Sequence, residues 1–275
     1  MKKITCVTDN TVQHSSRFWG EHGLSFLIET DNGNVLFDTG QTEAVLAHNL
    51  GLLGNAPRET AALVLSHAHV DHTGGLAAAL ALKPGRPLYA SPDLFRPRYA
   101  IRGGEYKSIG LSMTRDELAQ RADLRLSETP AEIVPGVWMI GEIADRPEPE
   151  GRSARHVVPT DTGWQPDTYR DDMSLVVETQ GLTVICGCCH AGLLNTLARV
   201  RQVFQRPITA IMGGTHLVDA DAAHLQHVIE VLRDTYGSPR LYLNHCTGER
   251  AYIALANALG DQVNPFPAGT MLTLS

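Results

Sequence analysis

The chain has 275 residues, of which 43% are hydrophobic and 19% charged, and its formal net charge is −7. This length allows one large domain or two smaller ones, and the composition is that of a soluble globular protein. The absence of any run of about 18 apolar residues excludes a membrane protein, and the acidic balance argues against a nucleic-acid binder, which normally carries a basic face.

The five cysteines do not fit a disulfide framework, because their number is odd and three are crowded at Cys186, Cys188 and Cys189. Reduced thiols suit a cytosolic protein. The N-terminal Met1-Lys2-Lys3 resembles the start of a signal peptide, but the β-like stretch over residues 4–10 that follows is not an apolar signal core. We therefore expect a cytoplasmic protein.

The first part of the chain predicts a β-hairpin and then alternating helices and strands. Alternating or short apolar runs predict strands over residues 3–8, 23–29, 34–38 and 61–65. A helix is predicted over residues 41–52 from its apolar spacing. Asp38 ends the second arm of the hairpin, where it forms either an Asx turn or a hydrogen bond to a ligand histidine.

Four candidate metal ligands follow the strand over residues 61–65 within six positions. Residues two apart in an extended segment point the same way, so His67 and His69 can bind one ion. Asp71 and His72 lie in the turn after them and can bind a second ion. The sequence thus predicts that one loop serves two metals.

The alternative is a polar loop whose histidines only cap neighbouring elements. Three imidazoles and a carboxylate at one buried strand end are costly to desolvate unless something neutralises them, which favours metal binding. Gly74 and Gly75 are expected to let the backbone pass close to the ions. Thr73 or Asp71 is expected to cap the helix predicted over residues 74–82.

Residues 91–171 are predicted to form a lid or insertion. They follow a short strand over residues 87–90 and include a helix candidate at 115–121 and a β-like piece at 136–140. A segment this irregular is typical of a functional loop. Its basic side chains are candidate contacts for an anionic substrate. They include Arg96, Arg98, Arg102, Lys107, Arg152 and Arg155.

In the second half, as at the signature loop, predicted strands end at or shortly before a histidine. Strands are predicted over residues 174–179, 182–188, 208–212 and 240–246, and helices over 191–203, 220–236 and 251–259. His190, His216 and His245 stand at or after the ends of these strands. His224 and His227 lie within a helix and are interpreted as surface or packing residues.

With these residues in hand, the chain resembles the metallo-β-lactamase superfamily, whose signature His-x-His-x-Asp-His stands here as residues 67–72. Within it, the whole chain resembles the group that contains the dihydropterin–ribofuranosylaminobenzene phosphate synthase. The shared landmarks lie at residues 20–25, 36–40, 67–72, 141–143, 187–192, 213–217 and 245–248. The pattern differs most in the predicted lid, at residues 144–146.

The resemblance implies an α/β fold, an αββα sandwich with two mixed β-sheets packed face to face and helices outside. It implies a single domain over residues 1–275, with two metal ions in a cleft at one edge of the sheets. Zinc is the expected metal, and iron and manganese suit the same ligand types.

The resemblance also extends the ligand set beyond the signature. It makes His245 the last ligand and His190 the best candidate for another, with Asp172 or Cys188 replacing His190 or joining it. Cys188 as a buried structural cysteine is the alternative. His216 is expected to line the substrate pocket rather than bind metal.

The expected function is that of a dinuclear metal-dependent hydrolase, acting through a metal-bound hydroxide on a small anionic substrate, phosphorylated ones included. Asp71 would orient the nucleophile or pass a proton. The alternatives are a transferase that condenses a dihydropterin methyl pyrophosphate with an aryl ribofuranosyl phosphate, a metal-dependent nuclease, and a non-catalytic metal-binding module. The expected partner is a small molecule, without nucleic acid or membrane, and a homodimer is left open.

Overall fold

Two seven-stranded sheets form the centre of the fold in the computed structural model, which describes residues 2–274. The strands are β1 (Lys2–Thr8), β2 (Ser25–Thr30), β3 (Asn34–Phe37), β4 (Thr60–Val64), β5 (Pro87–Ala90), β6 (Tyr99–Arg102), β7 (Glu105–Ser108), β8 (Asp123–Leu126), β9 (Ala131–Val134), β10 (Val137–Met139), β11 (His156–Thr160), β12 (Gly163–Pro166), β13 (Ser174–Glu178), β14 (Leu182–Cys186), β15 (Ile208–Gly213), β16 (Arg240–Leu243), β17 (Val263–Pro265) and β18 (Met271–Leu274). The helices are α1 (Glu43–Gly51), α2 (Val70–Thr73), α3 (Leu76–Leu82), α4 (Arg115–Ala119), α5 (Leu193–Val203), α6 (Ala222–Asp234) and α7 (Glu249–Leu259).

Each sheet is mixed, as predicted. The first has the strand order β18-β1-β2-β3-β4-β5-β8 and is antiparallel as far as β3 and parallel beyond it. The second has the order β17-β16-β15-β14-β13-β10-β9 and is parallel as far as β14 and antiparallel beyond it. The two halves of the chain therefore build similar sheets.

Alternating side chains place the first sheet between two apolar layers. Phe26 and Ile28 of β2 belong to the core that is shared with the second sheet, and that core also contains residues of α5, α6 and α7. Leu27, between them, faces the opposite way and packs with residues of α1 and α3. The αββα sandwich is confirmed by this arrangement. No helix within residues 2–274 is both long enough and apolar enough to cross a bilayer.

Residues 91–171, predicted to form a lid, are divided among three sheets. β8 extends the first sheet, and β9 and β10 complete the second. β6, β7, β11 and β12 form a separate four-stranded antiparallel sheet. This third sheet is the part of the segment that stands outside the sandwich, and its movement as a lid stays a prediction.

The candidate ligands lie at the carboxyl ends of parallel strands. Residues 67–72 follow β4 in the first sheet, and His190, His216 and His245 follow β14, β15 and β16 in the second. The carboxyl ends of neighbouring parallel strands meet at one sheet edge. The sandwich brings the two edges together, so one site receives side chains from both halves of the chain.

Candidate metal centre

A first set of donor atoms consists of three buried histidines. His67 Nε2 lies 3.1 Å from His69 Nδ1, and His190 Nε2 lies 3.2 Å from the same His69 atom. All three side chains are at most 5% exposed. The signature loop and the end of β14 thus supply one cluster, in which His190 joins His67 and His69.

A second set lies beside the first and contains the remaining signature residues. His72 Nε2 lies 3.2 Å from His245 Nε2, and Asp71 Oδ2 lies 3.4 Å from His245 Nε2 and 3.7 Å from His72 Nε2. Burial opposes ionisation of Asp71, but the neighbouring His72, His245 and His69 hold its pKa well below its ordinary value. The second set therefore contains a carboxylate.

Hydrogen bonds on the far side of the rings determine which nitrogen faces the centre. Asp38 Oδ2 accepts from His72 Nδ1 and from Ser66 Oγ, both at 2.7 Å, and the Ser66 hydroxyl in turn accepts from His67 Nδ1 at 2.8 Å. His190 Nδ1 donates to the carbonyl of Gly151. Each donated proton leaves Nε2 with its lone pair directed at the cluster.

His245 follows the same rule, since its Nδ1 donates to Asn10 Oδ1 at 2.9 Å. Five imidazole nitrogens and one carboxylate thus converge in a buried space, an arrangement that a cation stabilises. Two ligands of a tetrahedral zinc ion, each about 2.0–2.1 Å from it, lie about 3.3–3.4 Å apart. The separations given for the two sets, 3.1–3.7 Å, lie around this value.

Burial also keeps the first set neutral. It lowers the pKa of His67, His69 and His190 well below their ordinary value, and the neighbouring rings add to the effect. Neutral imidazole is the form that binds metal. His69 presents Nδ1 to the cluster, because that atom lies 3.1 Å from His67 Nε2 and 3.2 Å from His190 Nε2. The donor set therefore fits divalent metal ions.

Asp172 and Cys188, the alternative ligands to His190, differ in their positions. Asp172 Oδ2 accepts a hydrogen bond from the backbone N–H of Ala191 at 2.8 Å, so this carboxylate supports the loop that carries His190. Burial raises its pKa to about 6. Cys188 Sγ, in contrast, lies 3.2 Å from His72 Nε2 and stands among the donor atoms.

Asp38 connects the strand end of β3 with the signature loop. Its Oδ1 accepts from the Ser66 N–H at 2.7 Å, in addition to the two bonds at Oδ2, and the side chain is fully buried. The predicted hydrogen bond to a ligand histidine is confirmed. No Asx turn is needed to explain the residue.

Asp38→Asn is expected to weaken zinc binding by about 10–100-fold. An amide has one acceptor oxygen, so it cannot accept the Ser66 N–H at Oδ1 and the Ser66 and His72 bonds at Oδ2 together. Competition with a chromophoric chelator measures this change. Asp161→Asn, which alters an exposed carboxyl in the β11–β12 turn, is the control and should bind zinc as the parent protein does. Unchanged affinity in Asp38→Asn would show that the buried carboxylate does not orient the ligand.

The glycines of the signature loop have a steric reason within the fold. A Cβ at Gly74 would overlap the Gln41 carbonyl oxygen, and one at Gly75 would overlap that of Thr39. The glycines therefore let this loop pass close to the segment after β3, and the expected close approach to the ions stays a prediction.

The predicted cap of the helix after the signature loop is wrong. α3 begins after Gly75 without a side-chain cap, and Thr73 Oγ1 donates to the carbonyl of His69 instead. Asp71, the other candidate cap, belongs to the short helix α2 and faces the second donor set.

Gly74→Ala is expected to cost about 1–3 kcal/mol of unfolding free energy, since backbone atoms must shift to admit the methyl group, and to lower the metal content with it. Urea denaturation and elemental analysis measure both effects. Gly51→Ala is the matched control, because its Cβ would meet no atom within 4 Å. Equal stability of the two variants would contradict the close approach.

Most basic side chains of the predicted lid are paired with carboxylates and are not free anion contacts. Arg96 pairs with Asp93 and Arg152 pairs with Glu150, each over less than 3 Å. Lys107 lies 3.7 Å from the Glu105 carboxylate. The expectation that this segment binds the anion is not supported for these residues.

Arg98, another basic residue of the predicted lid, is buried among carboxylates and is not available to an anionic substrate. It is 1% exposed and lies 2.9 Å from Asp93, 2.9 Å from Asp167 and 2.6 Å from Asp171. Asp171 also accepts from the backbone N–H of Ala68 in the signature loop at 2.8 Å. This cluster joins the third sheet to the metal loop.

Four further residues border the centre. The sequence offered one of them, His22, as a residue that faces the site or as a satisfied loop histidine, and it did not single out the other three. His22 Nε2 lies 3.4 Å from Asp71 Oδ2. Tyr169 stacks on His190 at 4.1 Å, and its hydroxyl lies 2.9 Å from His156 Nδ1. Cys246 lies beside His245. The only signal in the sequence was adjacency to a strand end or a neighbouring ligand, and for Tyr169 there was none.

His216 follows β15 and borders the first donor set. Its ring centroid lies 4.3 Å from that of His190, and the ring is tilted by 49°. The residue belongs to none of the candidate donor groups within residues 2–274. It therefore lies beside the candidate ligands, and its expected place in the substrate pocket stays a prediction.

The comparison with known families agrees with this geometry. Residues 19–196 match the family described as the metallo-beta-lactamase superfamily. The chain belongs to this superfamily. Its members typically bind metal and most are enzymes, and both features agree with the two donor sets.

Two proteins from Methanocaldococcus jannaschii (strain DSM 2661) align with most of the chain. One is 30% identical, over 90% of this chain and 88% of its own length, and is named 7,8-dihydropterin-6-methyl-4-(beta-D-ribofuranosyl)-aminobenzene-5'-phosphate synthase. The other is an uncharacterized protein that is 31% identical over 97% of this chain and 96% of its own length.

A solved structure covers the chain completely. It is the crystal structure of Tm1679, described as a metal-dependent hydrolase of the beta-lactamase superfamily, with 26% sequence identity and a TM-score of 0.85. The alignment covers 100% of both chains. The chain therefore shares its fold with this solved structure over the whole of both aligned chains.

Proposed function

We propose that the protein is a dinuclear metal-dependent hydrolase of a small anionic substrate. The observation that carries the proposal is the pair of adjoining donor sets, whose lone pairs converge from both sheets. His67, His69 and His190 would hold one ion, and Asp71, His72 and His245 the other. When bound, such ions lower the pKa of water and neutralise the charge that develops on a leaving group.

The charge of the centre supports an anionic substrate. The two sets contain one carboxylate, Asp71, against two divalent cations, so the occupied centre would be positive. The paired arginines of the third sheet supply little further attraction. The negative charge of the substrate would therefore be matched mainly at the centre itself.

Side chains around the centre would orient the attacking water and the substrate. Asp71 would accept a hydrogen bond from the attacking water and direct it to the substrate. His216 would contact the substrate from the side of His190. Tyr169, stacked on His190 and buried, would exclude water from the far face of that ring.

A second candidate function, a transferase, is favoured by the 30% identity to a synthase over most of the chain. It would join the methyl carbon of a dihydropterin methyl pyrophosphate to an aryl ribofuranosyl phosphate and release pyrophosphate. In that case the centre would hold the leaving pyrophosphate, and water would be excluded as nucleophile.

One experiment separates the two candidates. Protein freed of metal and reconstituted with zinc, manganese or iron is assayed against phosphomonoesters, phosphodiesters, lactones and thioesters, and against the pterin pyrophosphate with and without the aryl acceptor. Metal-dependent hydrolysis without acceptor supports the hydrolase. Turnover that occurs only when the acceptor is present would replace it with the transferase.

A further inference from the structure

His156, on β11 of the third sheet, lies against the first donor set. Its ring centroid is 5.1 Å from that of His69, and the two rings are nearly perpendicular, at 87°. It is 6.4 Å from the ring centroid of His190. His156 belongs to none of the candidate donor groups within residues 2–274. The residue is therefore close enough to contact a substrate at the first donor set without being a ligand itself.

Hydrogen bonds to Tyr169 determine which ring nitrogen of His156 carries the proton. The Tyr169 hydroxyl oxygen accepts from the backbone N–H of Ser153 at 3.3 Å and lies 2.9 Å from His156 Nδ1. Among residues 2–274, that nitrogen is the only acceptor bonded to the hydroxyl, so the hydroxyl donates to it. A neutral imidazole whose Nδ1 accepts carries its proton on Nε2.

The Nε2–H of His156 is available to a bound molecule. Within the part of the chain that the structure describes, this nitrogen has no hydrogen-bond partner, and it is not one of the buried polar atoms that lack one. Nε2 of His69, in contrast, is such a buried atom. His156 thus combines a fixed tautomer with an accessible donor beside the candidate ligands.

Tyr169 is held firmly in the position that fixes this tautomer. Its ring is buried and stacks on that of His190 at 4.1 Å, with an interplanar angle of 11°. Its backbone lies in the left-handed region, with a φ of 47°, which residues other than glycine rarely adopt. Asp167 Oδ1 accepts the Tyr169 N–H at 2.8 Å, and Arg146 donates to the Tyr169 carbonyl at 2.9 Å. Such strain persists where the surrounding structure maintains it and is frequent at functional sites.

We propose that His156 contacts the substrate, and that its Nε2–H donates a hydrogen bond to an oxygen of an oxyanion, a phosphoryl or carboxyl group, bound at the first donor set. Tyr169 is the positioning residue that fixes the donor. The inference rests on the metal centre of the proposed function and adds the third sheet to the substrate site. A preorganised neutral donor of this kind stabilises negative charge on an oxygen as it develops.

Nitrogen NMR of the zinc-loaded protein, labelled with ¹⁵N-histidine, tests the tautomer without altering the chain. The signals that disappear in His156→Phe identify the residue. We expect a protonated Nε2 and an unprotonated Nδ1 for His156 in the parent protein, and a mixture of tautomers in Tyr169→Phe, which has no hydroxyl to donate. An unprotonated Nε2 in the parent protein would overturn the proposal, because the ring would then have no donor for the substrate.

Calorimetric titration of the zinc-loaded protein with inorganic phosphate tests the contact itself. His156→Phe should keep two zinc ions and bind phosphate at least about tenfold more weakly, since a hydrogen bond to a charged group is lost. His156→Gln, whose amide can donate from a similar position, should recover most of the affinity. His224→Phe, on α6, is the matched control and should bind phosphate as the parent protein does.

The outcomes separate this contact from the proposed function. Unchanged phosphate affinity in His156→Phe, or loss of zinc from that variant, would overturn the contact and leave the hydrolase intact. A parent protein that hydrolyses esters but does not bind phosphate would have the same meaning. Failure of the parent protein to bind zinc would overturn both proposals.

Discussion

His69→Ala is expected to lose the ion of the first donor set and to lower turnover by more than about 10³-fold. His69 Nδ1 is the atom that His67 Nε2 and His190 Nε2 both approach, at 3.1 and 3.2 Å, so its removal opens the cluster at its centre. Loss of a single charge-stabilising donor already costs about 10²–10³ in rate, and here the activation of water is lost as well.

Elemental analysis and steady-state kinetics measure the two parts of this result. His224→Ala is the matched control, because His224 lies on α6 outside every candidate donor group within residues 2–274. It should keep two ions per chain and the parent rate. Full metal occupancy and full rate in His69→Ala would show that the first donor set does not bind a metal ion needed for turnover.

Arg98→Met is expected to lower the unfolding free energy by about 3–5 kcal/mol, the cost of leaving buried charges without their partner. Three carboxylates surround this 1% exposed guanidinium, and one of them, Asp171, also holds the Ala68 N–H of the signature loop. The loss of stability should therefore be accompanied by weaker metal binding.

The effect of Arg98→Met should depend on pH. Burial raises the pKa of Asp171 to about 7, against the lowering effect of Arg98, and removal of the cation raises it further. A carboxyl whose folded pKa exceeds its unfolded value of about 4 contributes stability that is complete below that value and lost as the pH rises through the folded pKa. The deficit should therefore be smaller at pH 5 than at pH 8.

Urea denaturation at both pH values measures the deficit. Arg125→Met is the control, since Arg125 forms its ion pair with Asp123 on the surface, where such pairs contribute little. A deficit no larger than that of the control, or one that grows toward pH 5, would show that the Arg98 cluster does not hold the third sheet to the metal loop.

Much of the fold was predictable because its signals are local. The alternation in β2, the apolar run of β4 and the spacing in α1 and α5 each follow from burial of one face or of a whole strand. The third sheet was not predictable, because β7 and β12 are exposed throughout and carry no apolar period. Pairing between β6 and β11, more than 50 residues apart, leaves no trace in either segment.

The site residues also divide into those with a local signal in the sequence and those that only the fold brings together. The spacing of four residues within one loop predicts candidate metal ligands from the sequence alone. They are His67, His69, Asp71 and His72. The buried role of Arg98 was not foreseen, since a basic residue in an irregular segment suggests solvent or substrate. Its three carboxylates come from residues 93, 167 and 171, and only the folded chain brings them together.

Anomalous X-ray diffraction from crystals of protein never exposed to chelators, with zinc added, tests the central claim most directly. If the centre holds two ions, we expect two zinc peaks. One should lie among His67, His69 and His190, and the other beside Asp71, His72 and His245. No anomalous peak between these side chains, in crystals that contain added zinc, would contradict it.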